Sequence, residues 1–257
     1  MMVAGSIEYA QVRIQSRYAA RPNASAWREM EHARELSALI EVARRSGFDR
    51  VVGRLPMPLG LHELDLAWRK QWRERVDEVA GWMSVDWQPA LRWCALIVDL
   101  PFIRYLADGG IPYGWMQRDT SFAYLCAQPG SRTPATMGAG GSVAGLHQPW
   151  ADPAAVASGW YRELRRRMPP LSEEEAAHFL VFVRTVESHL GAFSQAAVDE
   201  GWRHRHRLEE KLNTLFRRST LEPLAAFAFL ALHWLDLERL RGEIARQIAF
   251  PSRSLVP

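Results

Sequence analysis

The longest apolar pattern in the sequence lies near its C-terminal end, between Leu221 and Phe250. The residues from Leu224 to Leu235 are apolar apart from one histidine, which is typical of a helix buried on all sides. Charged residues then enter at helical spacing, namely Asp236, Glu238, Arg239, Arg241, Glu243 and Arg246. We predict one helix that starts at Pro223, is buried in its first half and is amphipathic in its second. Its apolar run is shorter than the about twenty residues that cross a bilayer.

Helical spacing of apolar residues also marks the N-terminal third of the chain. Trp27, Met30, Ala33, Leu36, Ile40 and Ala43 recur every three or four positions. Asn23 or Ser25 is suited to cap this helix, and Gly47 is suited to end it. After a turn rich in proline and glycine, a second amphipathic pattern runs from Leu61 to Met83. Both segments are predicted to be helices with one buried face.

Further helices are predicted on both sides of the middle of the chain. One runs from Pro89 through Ile97, and Pro101 starts the next. Ser172 and Glu175 have the spacing of a capping box, and an apolar stripe follows it, with Phe179, Phe182, Val183, Val186, Leu190 and Phe193. A charged helix is predicted over residues 202–218. Because no segment shows the alternation of a strand, we predict an all-α, multi-helix fold.

The middle of the chain has a different composition. Glycine, proline, serine and threonine dominate residues 128–159, and nothing there is periodic. Such a segment is typical of an interdomain linker or a long loop. We therefore predict an N-terminal helical lobe at 1–127, this segment at 128–159, and a C-terminal helical lobe at 160–257.

Composition limits the classes of function. With 257 residues and 48% hydrophobic content, the chain can bury a core as one or two domains. The net charge is only +3 and the arginines that supply it are not clustered on one face, so we expect no nucleic-acid partner. Cys94 and Cys126 lack CxxC spacing and lie in apolar surroundings, as reduced, packed cysteines of cytosolic proteins do. The N-terminal residues lack the pattern of a signal peptide.

The histidines do not have the spacing of a metal site. His204 and His206 are two residues apart, as are Glu187 and His189. On a helix, such pairs point about 200° away from each other, so they cannot share one ion. The sequence around them also lacks the HExxH order of zinc proteases. We expect no metal and interpret these histidines as solvated side chains.

A glycine-rich segment is the other candidate for catalytic chemistry. Gly140 to Ala144 approximates the nucleophile-elbow pattern around Ser142, with His147 close by, but Ala144 replaces the final glycine. No strand is predicted before it, and no GKS or GKT follows the glycines, which excludes a phosphate-binding loop. We therefore expect no catalytic residue and no cofactor.

Arginine clusters and two tryptophans remain as candidates for partner contact. The sequence holds eleven tryptophans, most of them on apolar stripes. Two lie beside prolines and glycines, where partner contact and loop packing are equally compatible with the sequence. The candidate partner-binding residues are Arg165, Arg166, Arg167, Arg203, Arg205, Trp115 and Trp150.

Two distant stretches together carry a resemblance to a known family. The first has a tyrosine, an Ala-x-x-Arg-Ile pattern and regular leucine spacing that ends at a glycine and an aromatic; its residues are Tyr9, Ala10, Arg13, Ile14, Leu36, Leu39, Ile40, Gly47 and Phe48. The second is the closing helix, with Pro223, Glu238, Leu240, Arg241 and Ile244. Both resemble the rotor-adaptor family of V-type and A-type ATPases, which occurs in the vacuolar pump and in the archaeal and bacterial pumps.

This resemblance implies a mechanical function. In that family, loosely repeated helical lobes surround a central concavity, and the adaptor seats the central axle on the proteolipid ring. The chain would then be non-catalytic and would couple ATP-driven rotation to proton or sodium transport. The implied partners are the central-stalk and proteolipid-ring subunits, with the protein in the cytoplasm and peripheral to the inner membrane through this complex. The arginine clusters would meet acidic residues of these partners.

A function of another class stays open from the sequence. A small helical enzyme or ligand-binding protein could hold a pocket between the two halves, with residues 128–159 as a lid. In that interpretation Ser142, His147, His178 and His206 are expected to converge on one site.

Overall fold

A computed structural model describes residues 5–55, 59–119, 155–195, 197 and 200–250. Every regular element in these ranges is helical, which confirms the predicted all-α, multi-helix fold. The α-helices are α1 (Ile7–Ala19), α2 (Ala24–His32), α3 (Leu36–Ala43), α4 (Asp49–Val52), α5 (Leu61–Trp82), α6 (Gln88–Trp93), α7 (Leu100–Ala107), α8 (Gly114–Arg118), α9 (Val156–Arg167), α10 (Glu173–Gln195), α11 (Gly201–Arg218) and α12 (Leu224–Ala249). A π-turn (Arg44–Phe48) links α3 to α4, and a 3₁₀ turn (Cys94–Val98) links α6 to α7.

The contacts divide the chain into two compact units. Unit 1 combines Met1–Ser84 with Pro170–Pro257, and unit 2 is Val85–Pro169. This division does not coincide with the predicted lobes at 1–127 and 160–257, because α12 packs against α1, α3 and α5 from the first part of the chain. Of the predicted linker, residues 128–154 lie outside the described ranges, and α9 already begins at Val156.

Helix α12 is the centre of unit 1 and packs against α1, α3, α5, α10 and α11. Every residue from Leu224 to Leu230 is buried, whereas the second half buries positions three or four apart. The predicted change from a fully buried to an amphipathic helix is therefore confirmed. Trp68 of α5 ties this helix in place, because its indole N–H donates to the carbonyl oxygen of Leu237 at 2.7 Å.

The helix predicted from Ala26 to Gly47 is in fact two helices. Asn23 caps the first as expected, since its side-chain oxygen accepts a hydrogen bond from the Ala26 N–H at 2.9 Å. The helix ends at His32, where Ala33 adopts an extended conformation with ψ of 126°. Helix α3 then starts at Leu36.

Side chains of α12 stabilise this break. The Gln247 amide donates to the carbonyl oxygen of Ala33 at 2.6 Å, and Arg246 donates to the carbonyl oxygen of Glu31 at 3.2 Å. These carbonyls lie at a helix end, where they lack partners within the helix. The break thus depends on a helix more than 200 residues away in sequence, which explains why local spacing predicted a continuous helix.

Gly47 lies in the turn between α3 and α4, in a conformation that other residues avoid. Its φ is +93°, and a Cβ atom there would lie 2.3 Å from the carbonyl oxygen of Ala20. We expect Gly47→Ala to destabilise the protein by about 2 kcal/mol or more, from left-handed strain and the backbone clash. Gly81→Ala is the control, because a Cβ atom at this position in α5 has nothing within 4 Å. Urea unfolding should show it unchanged or slightly stabilised; equal losses for both variants would contradict the prediction.

Helix α10 begins as predicted, but only part of its predicted apolar stripe is buried. The Ser172 N–H donates to the Glu175 carboxylate at 2.8 Å, and the Glu175 N–H donates to the Ser172 hydroxyl at 3.2 Å, which confirms the capping box. Of the predicted apolar stripe, Phe179 is buried, whereas Leu190 is exposed. The helix packs against α11 and α12.

Two tryptophans hold α6 and α9 together in unit 2. The indole N–H of Trp93 donates to the carbonyl oxygen of Trp160 at 3.0 Å, and the indole N–H of Trp160 donates to the carbonyl oxygen of Trp93 at 3.3 Å. The Arg167 guanidinium lies 4.3 Å from the centre of the Trp93 ring. Cys94 follows Trp93 in the sequence, and burial raises the pKa of its thiol to about 12. This confirms that Cys94 is a packed, neutral thiol; Cys126 lies outside the described residues.

Candidate functional site

An exposed basic face follows the length of α11. This helix contains six arginine or lysine residues and two glutamates. It turns Leu208, Leu212 and Phe216 toward the interior of unit 1. The opposite side is exposed, and residues three or four apart share it. The cationic side chains on this side, defined here as the α11 basic face, are Arg203, Arg207, Lys211, Arg217 and Arg218.

The N-terminal end of this face carries an exposed aromatic side chain. Trp202 is 65% exposed, and the Arg203 guanidinium lies 5.6 Å from the centre of its ring. Arg203 is also 3.7 Å from the Glu200 carboxylate, a surface pair of small energetic value. Arg205 is exposed as well. Arg203 and Arg205, both predicted as partner contacts, are therefore accessible on the same turn of α11.

The two glutamates of α11 do not cancel its positive charge. Glu209 turns toward the interior and accepts a hydrogen bond at 3.0 Å from Arg21, which follows the end of α1. Glu210 is exposed and lies 3.4 Å from the His206 ring. The Glu209 charge is therefore paired inside unit 1, and Glu210 is the one glutamate on the exposed side of α11. This side keeps an excess of positive charge.

Two of the three arginines in the α9 cluster share one carboxylate. Arg166 donates two hydrogen bonds to Glu163, at 2.6 and 2.7 Å, and Arg167 donates a third at 2.7 Å. The hydrogen bonds from Arg166 lower the pKa of Glu163, so this carboxylate stays ionised. Arg165 is exposed and makes no ion pair within the described ranges. Of the three predicted contact residues in this cluster, Arg165 is the one with an uncompensated charge.

Of the two tryptophans predicted as interface candidates, Trp115 lies within the described residues and Trp150 does not. Trp115 is 3% exposed and packs edge-on against Phe102, with ring centres 4.9 Å apart. Its burial favours packing over partner contact, because the indole is not presented at the surface. Trp150 lies outside the described residues.

The residues of the alternative enzyme interpretation do not gather in the part of unit 1 that the structure describes. The His178 ring lies 3.0 Å from the Glu222 carboxylate, whereas His206 pairs with carboxylates of its own helix. Ser142 and His147 lie outside the described residues. Within the described ranges, no group of three or more histidine, cysteine or acidic side chains has the arrangement of a metal site.

Sequence reasoning missed a charged cluster inside unit 1. Arg21 donates to both carboxylate oxygens of Asp236, at 2.6 and 2.9 Å. Its third nitrogen donates to the side-chain oxygen of Asn213 at 3.1 Å, which also accepts from the Tyr18 hydroxyl at 2.9 Å. Burial alone would lower the pKa of Arg21, but the hydrogen bonds and charges of Asp236 and Glu209 raise it.

One signal in the sequence could have revealed this cluster. Asp236 falls on the buried stripe of α12, between Leu232 and Leu240. A carboxylate at a buried position requires a charged or hydrogen-bonding partner. That this partner is Arg21 could not be deduced from spacing, because the two residues are 215 positions apart.

Among the described helices, none combines the length and hydrophobicity needed to cross a bilayer.

Comparisons with known proteins identified no relative of this chain. No protein-family model matches the sequence, and searches of curated proteins and of solved structures returned no significant match.

Proposed function

We propose that this protein is a non-catalytic adaptor that resembles the rotor-adaptor family of V-type and A-type ATPases. It would connect the central axle to the membrane proteolipid ring and transmit ATP-driven rotation to proton or sodium transport. Its place would be at the cytoplasmic face of the membrane, where its partner subunits hold it.

The observation that carries the proposal is the packing of the two resembling stretches in unit 1. They are separated by about 170 residues, yet α12 packs against both α1 and α3. Most of the apolar residues that define the resemblance are buried in this unit, namely Ala10, Ile14, Leu39, Phe48, Leu240 and Ile244. The two stretches therefore behave as halves of one packed unit, which supports treating them as a single pattern.

The α11 basic face supplies a surface suited to the proposed partners. Its arginines project from a helix that is fixed to α10 and α12 by packing. Exposed charges on a rigid helix favour one orientation of an acidic partner more than they add affinity. Such a surface agrees with an adaptor that must seat its partner in a defined register.

Reversal of one charge on this face is expected to weaken the complex. We expect Arg207→Glu to reduce recovery of axle and ring subunits about tenfold, corresponding to about 1.4 kcal/mol. The introduced glutamate would face acidic residues of the proposed partner and repel them. The measurement is affinity purification of the tagged protein from its native membranes in mild detergent, with mass spectrometry of the recovered subunits.

Arg184→Glu in α10 is the matched control. Arg184 and Arg207 are both exposed on long helices of unit 1, and neither makes an ion pair within the described ranges. The control variant should recover the same subunits as the unmodified protein. Recovery of the unmodified protein alone, from the soluble fraction, would reject the adaptor function. Equal losses for both variants would reject the α11 basic face as the contact.

A further inference from the structure

Three arginines from three helices of unit 1 surround a single carboxylate. Glu78 of α5 accepts a hydrogen bond from Arg17 of α1 at 2.7 Å and another from Arg75, one turn earlier on its own helix. The guanidinium of Arg50 of α4 lies 3.8 Å from the same carboxylate. These four residues are called here the Glu78 cluster.

The positive charge of this cluster exceeds its negative charge by two. The neighbouring acidic residues Asp236 and Glu209 are hydrogen-bonded to Arg21. Arg75 also lies 3.4 Å from a ring nitrogen of His233. Burial lowers the pKa of His233 well below its usual range, so this ring is neutral and adds no further positive charge.

The least exposed arginine of the cluster is Arg75, which shares Glu78 with Arg17. Arg75 is 15% exposed, and burial lowers the pKa of its guanidinium, with the charges of Arg17 and Arg50 acting in the same direction. Like charges held close together in a poorly solvated position are unfavourable. A second anion would relieve this repulsion.

The cluster has hydrogen-bond donors left for such an anion. Each guanidinium carries five N–H donors. Arg17 uses one of them on Glu78, and Arg50 makes no hydrogen bond within the described ranges. The Arg17 and Arg50 side chains are 34% and 66% exposed, so an anion can reach them from solvent.

We propose that Arg17, Arg50 and Arg75 form a binding site for a phosphate group. A phosphate group carries a charge between about −1.5 and −2 at pH 7, which matches the excess of the cluster. Its several oxygens can accept hydrogen bonds from three guanidinium groups at once, whereas a single carboxylate has only two oxygens. The group belongs to a soluble phosphate compound or to the headgroup of an anionic lipid. This site is independent of the proposed adaptor function.

The test is calorimetric titration of the folded, full-length protein with inorganic phosphate and with pyrophosphate. Saturable binding of either probe is expected. Arg50→Gln should weaken it about tenfold, because one charge-assisted contact is lost. Arg50 makes no hydrogen bond within the described ranges, so circular dichroism should show the variant folded.

Arg54→Gln is the matched control. Arg54 lies four residues after Arg50 and is similarly exposed, but it forms an ion pair with Glu74 and not with Glu78. This variant should bind phosphate and pyrophosphate as the unmodified protein does. A second variant, Glu78→Gln, removes the competing carboxylate and should bind pyrophosphate more tightly.

A parallel experiment separates the two sources of the phosphate group. Vesicles of phosphatidylcholine with one-fifth phosphatidic acid are sedimented with the protein, with phosphatidylcholine vesicles as the reference. Binding to the acidic vesicles that is lost in Arg50→Gln would assign a lipid headgroup; binding of the soluble probes alone would assign a soluble compound. The proposal is overturned if neither probe nor vesicle binds, or if Arg50→Gln and Arg54→Gln weaken binding equally.

Discussion

Truncation of the chain after Arg218 is expected to unfold unit 1. The truncation removes α12, which buries eight large apolar side chains, namely Leu224, Phe227, Phe229, Leu230, Leu232, Leu237, Leu240 and Ile244. Burial of one such side chain contributes about 1.5–3 kcal/mol, so their loss amounts to roughly 12–24 kcal/mol. The whole stability of a domain is about 5–15 kcal/mol. The remaining helices α1, α3, α5 and α11 would also expose the apolar faces that α12 covers.

Circular dichroism and thermal melting provide the measurement. The truncated chain should lose the cooperative transition of unit 1 and most of the helical signal of its residues. A chain that stops after Phe250 is the control, because it retains all of α12 and should melt like the full protein. A folded, monomeric product of the truncation after Arg218 would show that α12 is not part of the core.

Sequence patterns predicted those helices whose start and burial depend on nearby residues. The capping box of Ser172 and Glu175 fixes the start of α10 through contacts three residues apart. The same holds for α12, where composition alone separates the buried half from the amphipathic half. The break at Ala33 could not be predicted, because the groups that stabilise it come from Arg246 and Gln247.

The candidate surface was predicted less completely. Charge in the sequence identified Arg203 and Arg205, which are exposed. The contacts of Glu163 with Arg166 and Arg167 were not predicted, although spacings of three and four residues on a helix allow both. The burial of Trp115 depends on packing against Phe102, for which a loop rich in proline and glycine gives no periodic signal.

The Glu78 cluster shows most directly what could not be predicted from the sequence. Arg17, Arg50 and Arg75 each belong to a different helix, and none stands out among the arginines of the sequence. Their convergence on one carboxylate results from the packing of α1 and α5. A charge excess of this kind is visible only after the helices have been placed.

Removal of the Asp236 carboxylate is expected to cost about 3 kcal/mol of unfolding free energy, because it leaves the charge of Arg21 buried without its main partner. The two side chains are 5% and 11% exposed, and two hydrogen bonds join them. Asn213 and Glu209 still accept bonds from Arg21 in Asp236→Ala, which limits the loss. Urea unfolding of Asp236→Ala, of Arg21→Met and of the double variant gives the coupling energy between the two residues.

Glu243→Ala is the control for this measurement, because Glu243 pairs with Arg246 on the same helix at 2.9 Å, where the arginine is half exposed. A pair of that kind contributes less than about 1 kcal/mol, so the control should remain close to the unmodified protein. In the double variant neither charge is left buried, so its loss should be smaller than the sum of the two single losses. If Asp236→Ala lost no more than Glu243→Ala, the Arg21 charge would have to reach solvent without Asp236, and the ion pair between them would not stabilise unit 1.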